Sequence, residues 1–203
     1  MKAIVILFSC LFLSFSGRSS TFSDFEYELN QVASNFRQSV MDKDESERQM
    51  RQAGDLTDEI QREINTIGKY TADEISDLKS LKKSADALET YIGSVGGCAN
   101  TILTKEEFRI ANQLVGGAIS NEVSGKYCVD FITVSFDKYI VYLGENNTSE
   151  DFVVSYSWKV SDGKNRGNGS MGLPAGDLRH IYDNREIPNQ KRIVIYGVAC
   201  KIF

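Results

Sequence analysis

The sequence predicts an α+β protein, with an acidic helical N-terminal region followed by a mainly antiparallel, β-rich C-terminal domain, and three observations carry that prediction. Apolar residues up to Ile92 recur at spacings of three and four, as on the buried face of a helix. From Lys126 onward, valine, isoleucine, tyrosine and phenylalanine gather in runs divided by turn residues, as in strands. Gly93, Gly96 and Gly97 interrupt the chain between the two patterns.

The chain opens with Lys2 and an uncharged, mostly apolar run from Ala3 to Phe15, and Ser14 and Ser16 take the small-residue places of a cleavage site. This is the pattern of a secretory signal peptide, since a membrane-crossing helix needs about 20 apolar residues. Residues 1–16 are therefore expected to be removed, with Gly17 beginning the mature chain. Leu7 to Cys10 imitate a lipid-attachment box, but Phe8 is bulky for it and the apolar run continues past Cys10. Export places the cysteines in an oxidising compartment and, in a eukaryotic host, makes Asn-x-Ser/Thr triplets usable as glycan acceptors.

Residues 17–92 read as helical. Ser23 and Glu26 fit a capping box, Phe22 and Tyr27 a hydrophobic staple, and Phe22, Phe25, Leu29, Val32, Phe36 and Val40 share one face. The run Asp42 to Arg48 lacks apolar residues and reads as a solvated helix end or a linker. Gly54 breaks the pattern, and Asp55 and Asp58 favour a fresh helix start with the stripe Leu56, Ile60, Ile64 and Ile67. Thr71 and Glu74 form a second capping box, followed by Ile75, Leu78, Leu81, Ala85, Leu88 and Ile92. The last five of these make a seam of about two heptads, short of the three or four that identify a coiled coil. An antiparallel bundle within one chain and a self-associating short coiled coil both fit.

Residues 93–97 read as a Gly-rich linker and 98–203 as the β-rich domain, led by one short helix. That helix carries a capping box at Thr104 and Glu107, with Phe108, Ala111, Val115 and Ile119 on one face. Strands are expected at Tyr127 to Phe136, Lys138 to Leu143, Asp151 to Val160 and Arg192 to Phe203. Asp162-Gly163 and Asn168-Gly169 read as turns, and Pro174, Gly176 and Pro188 keep Ser161 to Gln190 irregular. Long loops on a rigid sheet are where binding residues concentrate, so this stretch is the expected recognition surface.

Composition then narrows the chemistry. The net charge is −5, and it is uneven: residues 22–92 hold 16 acidic and 9 basic side chains, residues 93–203 hold 12 of each. Neither half has the basic excess that nucleic acid or an anionic membrane demands. Past the signal three cysteines remain, and Cys128 near the first strand's start is expected to bond Cys200 near the last strand's end. Cys98 is then free, or an alternative partner for either. With one histidine and no C-x-x-C, no metal and no cofactor are expected. A calcium loop fails too, because Lys164, Arg166 and Leu173 stand where oxygen ligands belong after Asp162.

Ser170 and His180 are the sole hint of a hydrolase, and residue 168 is Asn where a nucleophile elbow needs glycine. No catalytic residue is assigned. Glycan-acceptor triplets start at Asn146, Asn147 and Asn168, with one of the adjacent pair expected to be used. The expectation is a secreted extracellular glycoprotein that recognises a protein or glycan, contacting it through Tyr156, Trp158, Arg166, Arg179 and Tyr182, with homo-oligomerisation open through the helical seam. A membrane-active effector is the alternative, inserting Phe22, Phe25 and Phe36, although interfacial helices usually carry basic faces.

Overall fold

Strands buried on one face alternate apolar and polar residues, whereas strands covered on both faces read as continuous apolar runs, and this chain contains both kinds. The computed structural model describes residues 20–40, 42–99, 101–123, 127–161, 165–181 and 192–202. Residues 1–16, the Asp162-Gly163 pair, Pro188 and Tyr182 lie outside the described residues. The order is α1 (Ser20–Ser39), α2 (Lys43–Ile64), α3 (Ala72–Val95), β1 (Leu103–Thr104), α4 (Lys105–Val115) and β2 (Ala118–Val123). Then follow β3 (Asp130–Ser135), β4 (Ile140–Glu145), β5 (Phe152–Val160), β6 (Arg166–Leu173), β7 (Asp177–His180) and β8 (Ile193–Ile202). Helices precede antiparallel sheets, so the fold class is α+β.

One sheet has five strands in the order β1-β7-β4-β3-β2, the other three in the order β6-β5-β8. The larger sheet lies in the middle. Ile132, Val134, Val141, Leu143 and Leu178 on one face join the cluster built by the four helices. Phe131, Ile140 and Tyr142 on the other face join Val154, Tyr156, Leu173 and Ile193 of the three-stranded sheet. Two-sided burial explains why β3 and β4 are buried at nearly every position while β5 alternates. Phe36, fully buried, ties the layers together by packing edge-on against Tyr91 of α3 and Phe136 after β3. Such aromatic pairs add about 0.5–1.5 kcal/mol each to what burial alone supplies.

Several local expectations are corrected. Helix α1 already runs from Ser20, so Ser23 and Glu26 sit inside it and do not cap it; Phe22 packs on the core and extends the helix N-terminally. The polar run after Asp42 is the first part of α2, capped by the Asp42 carboxylate accepting from Glu45 N–H and braced by Arg48 to Glu45 at 2.6 Å. Gly54 does not end that helix. A Cβ there would stand 3.1–3.3 Å from the Glu89 carboxyl group, so glycine serves the close approach of α2 and α3. Ile67 falls beyond the end of α2 and is fully exposed.

The capping boxes at Thr71 and Thr104 are both formed. The seam from Leu78 to Ile92 is buried within the chain's own helical cluster. The segment expected as a flexible linker is instead the end of α3 and its turn, with Gly93 and Gly96 buried. Gly116, at φ 75, stops α4, so Ile119 belongs to β2 and is exposed. The stretch taken for one long loop contains β6 and β7, and Asn168-Gly169 lies mid-strand in β6.

Candidate functional site

Cross-strand pairing in the three-stranded sheet fixes which side chains share its outer face. β5 pairs β6 and β8 antiparallel, so outward positions form rows across the sheet. Lys159 lies opposite Arg166 and Val194; Ser157 opposite Asn168 and Tyr196; Ser155 opposite Ser170 and Ala199; Val153 opposite Gly172 and Lys201. None of these outward residues is acidic. The face carries three cations in a chain whose net charge is −5.

The end formed by Lys159 and Arg166 is electrostatically uncomfortable. These two residues are direct cross-strand partners and both exposed, and among the described residues neither makes an ion pair. Like charges placed directly opposite destabilise a strand pair. The Lys159 ammonium rests 5.8 Å from the centre of the exposed Tyr196 ring, which offsets part of that cost. Between the charged ends the face is hydroxyl and amide: the Ser157 hydroxyl donates to Asn168 Oδ1 at 2.8 Å, with Ser155 and Ser170 beside them.

A bulge in β8 makes this face. Tyr196 and Lys201 are five residues apart and would point to opposite sides of a regular strand. Gly197, at φ 60, takes the left-handed conformation, the register slips between Ser155 and Ser157, and one extra residue is absorbed there. Tyr196 and Lys201 thereby both face outward, and Cys200 turns inward to bond Cys128 with Cα atoms 6.2 Å apart. The disulfide forms as expected but by another route. Cys128 precedes β3 of the larger sheet, so the bond links two sheets, not neighbouring strands. Cys98 is in no disulfide and packs half-buried, its thiol 3.6 Å from the Ile92 carbonyl oxygen.

Of the described residues expected to bind a ligand, the sheet brings only Arg166 onto this face. Tyr156 is a correction: it points inward, 7% exposed, and its hydroxyl donates to the Ile181 carbonyl. Burial pushes that phenol's pKa up, with the nearby Arg179 charge working in the other direction. Trp158, half-buried, also faces inward, where its indole covers Gly167; a Cβ on Gly167 would lie 2.7 Å from Trp158 Cζ2. Gly169 likewise lies under the Tyr156 ring. Arg179 of β7 donates to the Gly172 carbonyl at 2.9 Å and so straps one sheet to the other.

Lys159, Tyr196 and Lys201 were missed by the sequence reading. The alternation of β5 around Val154 and Tyr156 signals that Lys159 faces outward, and the isolated Gly197 within β8 is the local sign of the bulge that brings Lys201 round. Ser170 is on the outer face, whereas His180 belongs to the five-stranded sheet.

The asparagines that open the Asn-x-Ser/Thr triplets separate by burial. Of the adjacent pair, Asn146 is fully buried, its amide donating to the Glu150 and Leu173 carbonyls and its Oδ1 accepting from Thr148. Asn147 and Asn168 are exposed.

An open groove of about 300 Å³ lies between α1 and α2. Val32 and Leu56 form its floor, and Glu28, Asp55 and Glu59 stand with Gln31, Asn35 and Gln52 around it. Further along α2 and α3, burial and the charges of Asp86, Asp58 and Asp55 raise the Glu89 pKa. The apolar faces of the helices are spent inside the chain, with Phe25 and Phe36 buried and Phe22 packed on the same cluster. No described helix is long and apolar enough to cross a membrane. Among the described residues no group of three or more His, Cys, Asp or Glu is arranged to hold a metal ion. No model of a known protein family, no curated protein and no solved structure matches this chain.

Proposed function

We propose that this chain is a secreted recognition protein that binds an extracellular partner through the outer face of its three-stranded sheet. One observation carries the reading: Lys159 and Arg166 are held directly opposite each other, exposed and without an ion pair among the described residues, and no described outward residue of the face is a carboxylate. A cost of this kind retained on a rigid surface is the expected mark of a functional site, because folding alone would select one opposite charge. An anionic group set between them removes the repulsion only when the partner is present. Binding, not catalysis, is the role.

Secretion rests on the leader pattern of residues 1–16, and the bond between Cys128 and Cys200 suits an oxidising compartment. Asn147 is the acceptor that carries a glycan without touching the face. A glycan on Asn168 would stand in the middle of it, so modification there and recognition exclude each other.

The test uses mature protein made in an oxidising bacterial compartment, which leaves both asparagines bare, on arrays of extracellular glycans and proteins. Wild type is expected to select ligands that Arg166→Glu and Tyr196→Ala lose by at least tenfold. Arrays on which wild type and both folded variants behave alike overturn the reading. Dye release from liposomes at low protein concentration would instead support the membrane-active alternative.

A further inference from the structure

The outer face is polar in a particular order. Lys159 and Arg166 lie at one end, Lys201 at the other, and the two rows between them offer Ser155, Ser157, Asn168, Ser170 and the Tyr196 ring. Six residues of β5 separate the end rows, about 20 Å at about 3.3 Å per residue. The width is that of three strands spaced about 4.8 Å apart.

We propose, resting on the reading above, that the ligand is an acidic oligosaccharide lying along β5, with anionic groups at both ends of the face and neutral sugar between. Charge complementarity sets its sign. The cations at the two ends match carboxylate or sulfate groups carried by one chain, and they stand apart from the acidic helical half of the protein. The middle rows set its class, because hydroxyls and an amide exchange hydrogen bonds with sugar hydroxyls in either direction. Tyr196 presents an exposed ring beside Lys159, on which the apolar side of a pyranose can rest. An extended acidic peptide is less suited, since such peptides pair with the edge of a sheet, whereas these residues lie on its face. A lipid surface is less suited as well, since only Val153, Val194 and Tyr196 among the outward residues are large and apolar.

The experiment measures affinity for sulfated oligosaccharides cut from heparin, with unglycosylated full-length mature protein and single variants checked by circular dichroism. A hexasaccharide spans both ends. It is expected to lose on the order of tenfold with Arg166→Ala and with Lys201→Ala, each substitution also lowering the slope of log K against log salt by about one. A disaccharide, too short to bridge the ends, is expected to bind more weakly and never to feel both substitutions at once.

Polyglutamate of matched charge, or phosphatidylserine vesicles, binding as tightly as the hexasaccharide would overturn the assignment to sugar. A hexasaccharide insensitive to Lys201→Ala would overturn the two-ended geometry. If no sulfated oligosaccharide binds while Arg166→Glu still abolishes binding to an array ligand, the ligand class is wrong and the recognition face stands. If the variants change nothing on any ligand, both fail together.

Discussion

Gly169 and Gly167 show how single residues decide which aromatic side chains a ligand can meet. Each sits opposite an aromatic residue of β5, and the missing Cβ leaves room for the Tyr156 and Trp158 rings to lie against the β6 backbone. Sequence alone makes Tyr156 and Trp158 attractive as ligand contacts, since exposed aromatics dominate recognition surfaces. The glycines opposite them argue the other way, for rings that cover backbone. Gly169→Ala is expected to destabilise the protein by about 1–3 kcal/mol, because the added methyl group overlaps the Tyr156 ring and forces it from the core. Urea unfolding measures this. A loss smaller than about 0.5 kcal/mol would mean that the ring has room to move, and that its burial is not enforced by β6.

The element that most shapes the candidate site is β8, whose bulge at Gly197 divides it into two stretches of opposite facing. Ile193 and Ile195 point inward before the bulge, and Cys200 points inward after it, although regular alternation would separate them. Glycine is needed there because φ is 60, in the left-handed region, which costs a residue with a side chain about 1–2 kcal/mol and a β-branched one more. Gly197→Val is therefore expected to lower stability by at least about 2 kcal/mol. It should also slow formation of the Cys128 to Cys200 bond during oxidative refolding, followed by thiol titration. Wild-type stability and oxidation rate in this variant would show that the bulge does not depend on glycine.

Helix elements teach the reverse lesson. The boxes at Thr71 and Thr104 were legible because a cap is a local hydrogen-bond arrangement. The start of α1 and the continuity of α2 through Gly54 were not, since packing against neighbouring helices outweighs a local breaker that costs only about 1 kcal/mol.

For the whole molecule, the central five-stranded sheet is shared by two apolar clusters, so helices and the outer sheet are both anchored to the same strands. The Cys128 to Cys200 bond closes 72 residues of sequence and fastens the outer sheet to the central one. Replacing both cysteines by serine is expected to cost about 4 kcal/mol by the chain-entropy argument, read as a lower urea midpoint. Reductant should destabilise wild type and leave the double variant unchanged. A reductant effect of similar size in the double variant would assign the sensitivity to some other group, Cys98 included.

The sequence by itself determined the α+β class, the capping boxes at Thr71 and Thr104, four of the strands and the acidic bias of the N-terminal half, because each depends on local periodicity, local hydrogen bonding or a simple count. Tertiary structure alone decided that a two-faced central sheet joins the halves, that β6 and β7 occupy the supposed loop, and that Lys159, Arg166, Tyr196 and Lys201 share one surface. Those outcomes depend on strand register and on one bulge. A shift of a single residue reverses which side of a sheet every following side chain occupies, and Gly197 marks where β8 can bulge without fixing how its register then pairs.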